Sequence, residues 1–174
     1  VLGSRLIRVF GGRNAEGMTD NDAFSSAVNT LTQMLEIADE FRVDLVVETH
    51  DHWVERERIS ALLENVNHPR AGICWDAHHT MRLAGESVQE SIGAYGKHIR
   101  NIHLKDSIGS KEDFTYCMPG AGTIDFAGSF SQLKQAGYNG WITVEHEKRW
   151  CPQLEEPEEI LPAFSQFIKK NWIV

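Results

Sequence analysis

The sequence alternates. Short apolar runs stand at Leu6-Ile7-Arg8-Val9-Phe10, Leu45-Val46-Val47, Ala71 to Trp75, Ile99 to Leu104 and Trp141-Ile142-Thr143-Val144. A stretch of helical periodicity follows each one. After the first, Ala27, Leu31, Met34, Leu35, Ala38 and Phe41 recur at three- and four-residue steps, the spacing of a helix with one buried face. Ile59, Leu62, Leu63 and Val66 repeat the pattern after the second run, and a more polar segment from about Ser87 to Tyr95 follows the third. Phe126, Phe130, Leu133 and Ala136 mark the fourth helix, and Ile160, Leu161, Phe164, Phe167 and Ile168 the last. Boundary residues agree. Thr19-Asp20-Asn21-Asp22 supplies N-cap candidates, Asn67-His68-Pro69 a stop, Gly96 a helix-ending turn and Gly137 another stop. A long loop is expected from about Ser107 to Gly122. The connections leave no room for hairpins, so the alternation predicts a parallel sheet covered by helices.

An open doubly wound sheet and a (β/α)8 barrel both satisfy this pattern. No G-x-G-x-x-G follows the first strand, so the dinucleotide-binding signature of the open sheet is missing. Four successive strands instead end in a residue able to hold a metal: Glu48, Asp76, His103 and Glu145. Strand ends in a barrel face a common axis, so four such groups can converge. In an open sheet they would lie in a row, about 4.8 Å apart per strand. The expected fold is therefore α/β, a (β/α)8 TIM barrel represented here by its C-terminal five βα units. A whole barrel typically needs about 250 residues. The chain begins at Val1 rather than Met, and N-terminal units are expected to be missing from a single partial barrel domain spanning residues 1–174.

The formal charge of −8 argues against nucleic acid or an anionic membrane as the main partner. No apolar run approaches the roughly 20 residues of a membrane span. Cys74, Cys117 and Cys151 are odd in number and widely spaced, as free thiols of a reducing compartment would be. A cytoplasmic location is the expectation.

Three carboxylates and one imidazole form a mostly hard, oxygen-rich donor set. It suits one divalent ion, Mn2+ first, with Mg2+, Co2+ or Zn2+ as alternatives. Each residue alone has a plain reading: a strand-end carboxylate paired with a lysine, or a hydrogen-bonded core histidine. Their joint occurrence at matched strand ends carries the inference. Gly120-Ala121-Gly122 reads as a tight turn into the helix near Asp125, with a phosphate cradle as the competing reading. Lys148, Arg149 and Trp150 follow Glu145 on the loop side where barrel sites form. They read either as binders of an anionic group or as a salt-bridged loop stacked on a tryptophan.

Val47-Glu48-Thr49-His50, Trp75-Asp76-Ala77-His78-His79, His103-Leu104-Lys105-Asp106, Pro119-Gly120-Ala121-Gly122 and Val144-Glu145-His146-Glu147-Lys148-Arg149-Trp150 together resemble the xylose-isomerase-like TIM barrels. Within them the chain is most similar to the sugar phosphate isomerase/epimerase group. The resemblance runs in order over essentially the whole chain, from the family's fourth strand to its last helix. It implies that Glu48, Asp76, His103 and Glu145 are metal ligands and that His79 contacts substrate. Type IV apurinic endonucleases share this fold with three zinc ions, but Phe114 and Tyr116 stand where two of their extra ligands belong. A single-metal site is the expectation.

The activity expected is a metal-dependent sugar or sugar phosphate isomerase or epimerase. Glu48 and Glu145 are its catalytic pair, moving a proton through a metal-stabilised enediolate. His79, Lys105, Lys148, Arg149 and Trp150 are the substrate-binding candidates. A dehydratase of a keto-sugar or keto-inositol, or a non-catalytic barrel fragment, remains the alternative. The partner expected is a small sugar or sugar-derived molecule, with homo-oligomerisation left open.

Overall fold

Five of the apolar runs become strands of one parallel sheet in a computed structural model that describes residues 3–172. Val1, Leu2, Ile173 and Val174 of the expected 1–174 unit lie outside the described residues. The strands are β1 (Leu6–Val9), β2 (Asp44–Glu48), β3 (Ala71–Asp76), β4 (Ile99–Leu104) and β7 (Trp141–Val144), paired in the order β1-β2-β3-β4-β7. Every pair is parallel, and the sheet curls into a half-barrel. Between the strands run α1 (Asp20–Glu40), α2 (Arg56–Val66), α3 (Val88–Tyr95) and α4 (Phe126–Gln135), with α5 (Pro157–Asn171) closing the chain.

The helix ends fall where the sequence signals put them. The Thr19 side chain accepts from the Asp22 N–H at 3.2 Å to cap α1. Asn67 takes a left-handed conformation at φ 42° to end α2 just before Pro69. Ser87 and Glu90 form a complete capping box on α3, and Asp125 caps α4.

Side-chain alternation splits the sheet into two faces. Leu45 and Val47, Ile73 and Trp75, and Ile102 and Leu104 point outward into one apolar cluster with Leu35, Ile59, Leu62, Phe130 and their neighbours on the helices. The residues between them point inward. On that inner face Asn101 Nδ2 donates to Cys74 Sγ at 3.6 Å and Thr143 Oγ1 to Asn101 Oδ1 at 3.4 Å. The same alternation makes Glu48, Asp76 and His103 inward residues at the carboxyl ends of their strands. No helix among the described residues is long and apolar enough to cross a membrane.

Two local features depart from the expectation. The segment read as one long loop contains an antiparallel hairpin, β5 (Asp106–Gly109) with β6 (Phe114–Cys117). The alternation therefore does leave room for a hairpin. Its four-residue strands are too short for period-two patterning to stand out. Beyond Asp76 the chain enters a π-helical turn, His79–Ala84, that ends at Gly85 with φ 73°.

A single buried carboxylate fixes the hairpin and the turn after it. Asp106 Oδ1 accepts from the N–H groups of Ser107 (2.8 Å) and Ile124 (3.3 Å). Its Oδ2 accepts from Gly120 (2.9 Å) and Gly122 (3.0 Å). Gly120 has φ 84°, and a Cβ on Gly122 would collide with this carboxylate. The glycines are there for close approach, and a carboxylate of the chain itself fills the place an anion would take. Asp106→Ala leaves four backbone donors without an acceptor. We expect it to lower stability by about 3 kcal/mol or more in urea denaturation and to speed amide exchange at Gly120 and Gly122. Unchanged exchange at these two glycines would contradict the assignment.

Candidate metal centre

Strand register brings the candidate residues to neighbouring inward levels of the sheet. Glu48 lies opposite Cys74, Asp76 opposite His103, and His103 opposite Thr143. Glu145 follows β7 directly, its N–H donating to Leu104 O at 2.9 Å. The half-barrel's curvature turns this row into an arc. One ligand atom from each of Glu48, Asp76, His103 and Glu145 lies within 4.8 Å of the others. Glu48 and Asp76 are fully buried, and His103 is 7% exposed.

The backbone around Asp76 is held from both sides. Its N–H donates to Thr49 Oγ1 at 2.8 Å, and its Oδ1 accepts from the His79 N–H at 2.9 Å. Its Oδ2 lies 2.9 Å from Lys105 Nζ, but off the hydrogen-bonding direction, so this atom is buried without a directed donor. A buried carboxylate oxygen in that state, beside two more carboxylates and an imidazole, fits a divalent cation.

Three cations answer the carboxylates. Arg8 Nη1 reaches Glu48 Oε2 at 2.7 Å and Glu145 Oε1 at 3.3 Å. Lys105, only 4% exposed, lies 2.6 Å from Glu145 and 3.1 Å from Glu147 as well as beside Asp76. It is a buried ammonium rather than a surface lysine. His103 Nδ1 stands 3.2 Å from Glu48 Oε1 and 3.6 Å from Glu145 Oε1.

Burial and charge compete at each group. Burial pushes the Asp76 carboxyl up to about 7 against the pull of Lys105. Burial also raises Glu145, but His103 and Lys105 outweigh it and hold this carboxyl well below the usual range. For His103 burial opposes the charge, yet Cys74, Glu145 and Glu48 hold its pKa up at about 11. Burial likewise works against the Lys105 charge, and Asp76 and Glu145 keep the ammonium above its ordinary value. A cation bound by the cluster needs His103 neutral, so loading would release a proton.

The two histidines after Asp76 differ in surroundings. His79 Nδ1 donates to Thr49 O at 2.9 Å, which leaves Nε2 as the acceptor of the neutral ring. Its ring meets His50 edge-on at 4.7 Å, and His50 in turn meets Phe10 at 5.1 Å. His78 is fully buried against Phe114 and Tyr116, with Nε2 2.9 Å from Ser107 Oγ and Nδ1 without a partner among the described residues. Asp76, His78 and His79 form a second group of ligand atoms within 4.8 Å. It offers one donor fewer, and Lys105 already answers the shared Asp76.

The loop after β7 behaves differently from the cluster. Lys148 Nζ binds Pro152 O (2.9 Å), Leu154 O (2.6 Å) and Glu156 (2.8 Å). Arg149 stacks over the exposed ring of Trp150, its Cζ 5.0 Å from the centroid. Lys148 is thus directed into its own loop. Three participants escaped the reading of residues alone: Arg8, Asp106 and Glu147. Arg8 had a usable signal, since an arginine at an alternating position of an apolar strand must face either a barrel interior or water.

The comparisons with known proteins agree with this fold. The family model described as xylose isomerase-like TIM barrel matches residues 1–171, and the chain belongs to that family. An inosose dehydratase of Geobacillus kaustophilus is 29% identical, the match covering 91% of this chain and 56% of that protein. An inosose isomerase of Bacillus licheniformis is 30% identical, covering 82% of this chain and 54% of its own. The chain thus spans about half the length of these relatives. Among solved structures, an IolI protein with a bound zinc atom superposes with a TM-score of 0.81 at 22% identity, covering 99% of this chain and 66% of that one. An L-ribulose 3-epimerase gives 0.80 at 18% identity, covering 98% and 62%.

His78 supplies a test of the electrostatics in the metal-free protein. Burial, then Lys105 and Arg82, push its pKa down to about 3. The neutral imidazole's contribution to stability is therefore complete above about pH 6.5, the unfolded value, and is lost as pH falls toward 3. The loss is about 1.4 kcal/mol per pH unit. Between pH 6.5 and 5, wild type should lose about 2 kcal/mol more than His78→Gln in urea denaturation. Parallel losses would mean that His78 is protonated in the folded state.

Proposed function

We propose that the chain forms part of a divalent-metal-dependent isomerase or epimerase acting on a small sugar or sugar-derived ketone. The observation that carries this reading is the convergence of Glu48, Asp76, His103 and Glu145 from four neighbouring strands to within 4.8 Å. These four would hold one ion. Mn2+ is the first choice for a mainly oxygen donor set, and the zinc of the IolI structure keeps Zn2+ in consideration. When bound, the ion would act as a Lewis acid on adjacent carbonyl and hydroxyl oxygens of the substrate.

The chain's own groups then divide the work. Glu48 and Glu145 stand on strands separated by two others and approach a substrate from different sides. One carboxylate takes the proton from the carbon between carbonyl and hydroxyl, and the other returns it to the opposite face or the neighbouring carbon. His103, and Lys105 at 2.6 Å, hold the Glu145 carboxyl well below the usual range. His79 Nε2 accepts a hydrogen bond from a substrate hydroxyl, because Thr49 O holds its Nδ1–H. His50, backed by Phe10, offers an aromatic wall beside it. The three free thiols fit a reducing cytoplasm.

The relatives named as inosose dehydratases favour a second outcome from the same start, in which proton removal is followed by loss of a β-hydroxyl. Product analysis separates the two, since only the lyase releases water and an unsaturated product. Glu145→Gln should lower solvent-deuterium exchange into a ketose or inosose substrate by about 100-fold or more with the ion still bound by metal analysis. Treatment with a chelator should abolish exchange in wild type. Retained exchange in Glu145→Gln would remove this carboxylate from proton transfer.

A further inference from the structure

We infer that Arg8 is a positioning residue that competes with the divalent ion for Glu48 and Glu145, and so sets how tightly the ion is held. This rests on the reading that Glu48, Asp76, His103 and Glu145 form the ion's site. Arg8 lies opposite Val46 in the β1–β2 register, which places it on the inner face of the sheet. From there it reaches across to the far end of the arc. Its Nη1 lies 2.7 Å from Glu48 Oε2 and 3.3 Å from Glu145 Oε1. The Glu145 oxygen it approaches is also the one nearest His103 Nδ1, at 3.6 Å. Arg8 thus engages two of the four candidate ligands at once, one of them through the oxygen that faces the cluster.

An ion entering the cluster meets either a guanidinium on its carboxylates or one displaced a few ångströms away. Both raise its free energy, because a unit positive charge this close to a doubly charged ion is repelled even when solvent screens it. Displacement need not carry Arg8 far. Its Cζ sits 4.5 Å over the Phe10 ring, which holds the guanidinium beside the site while its hydrogen bonds change. Lys105 differs in this respect. It is buried between Asp76, Glu145 and Glu147, and Glu147 remains its partner whatever happens at the four-ligand cluster.

The test is direct titration of the metal-stripped protein with Mn2+ and with Zn2+, by calorimetry and by competition with a chelating dye. Arg8→Gln should bind each ion at least tenfold more tightly than wild type, and Arg8→Lys, which keeps the charge, within threefold of it. The Tm rise on adding Mn2+ should be larger in Arg8→Gln than in wild type. Arg8→Met, which keeps the aliphatic stem over Phe10, replaces Arg8→Gln if the latter does not fold. Wild type that binds the ions together with Arg8→Gln of equal or weaker affinity would overturn the competition and leave the site intact. Equal tightening in Arg8→Lys and Arg8→Gln would overturn it too, since charge would not be the cause. Failure of both wild type and Arg8→Gln to bind either ion would overturn the site itself.

Discussion

Like charges brought into one buried volume must be answered, and this fold brings three carboxylates together. Glu48, Asp76 and Glu145 meet because parallel register and a curled sheet leave inward strand-end residues nowhere else to point. Without compensation such a group would protonate or unfold the sheet around it. Arg8 supplies the compensation from β1, and His103 and Lys105 supply it from the end of β4. The rest of the site follows from that balance: a lysine buried at 4% exposure, a histidine held cationic, and an aspartate oxygen left without a directed donor.

Much of this was readable from residue types and spacing. Runs of Leu, Val and Ile between amphipathic stretches are dictated by burial on both faces of a parallel sheet, and that pattern survives without any tertiary information. Strand-end Glu48, Asp76, His103 and Glu145 were legible for the same reason, because a charged residue closing an apolar run has a position as well as a chemistry. The hairpin of β5 and β6 was not legible. Its strands are four residues long, and its anchor is Asp106, whose acceptors meet N–H groups as far away as Ile124. A carboxylate that binds backbone leaves no partner residue in the sequence to point to it. Arg8 was overlooked because its meaning depends on Glu145, 137 residues later. For Lys148 the sequence left two readings, and its ammonium turns to the carbonyls of its own loop.

Family membership and local geometry bear on different questions. The match over residues 1–171 establishes the barrel architecture, and superposition with epimerase and IolI structures below 25% identity supports that architecture alone. The chemistry has to come from the atoms. There the decisive feature is that both candidate proton carriers are carboxylates with cationic neighbours, while His78 and His79 are neutral. Under the proposed function, proton transfer would therefore fall to Glu48 and Glu145, with the His79 imidazole accepting a hydrogen bond.

The curled sheet has a further property that the cluster at its centre conceals. β1 and β7 each have a neighbour on one side only, and between them they expose Ile7 and, at 76%, Trp141. A closed barrel has no such rims. Arg8 on β1 reaches Glu145 just past β7, so a single guanidinium ties the first strand of the arc to the end of the last. The charge network that balances the cluster therefore also spans the arc from end to end.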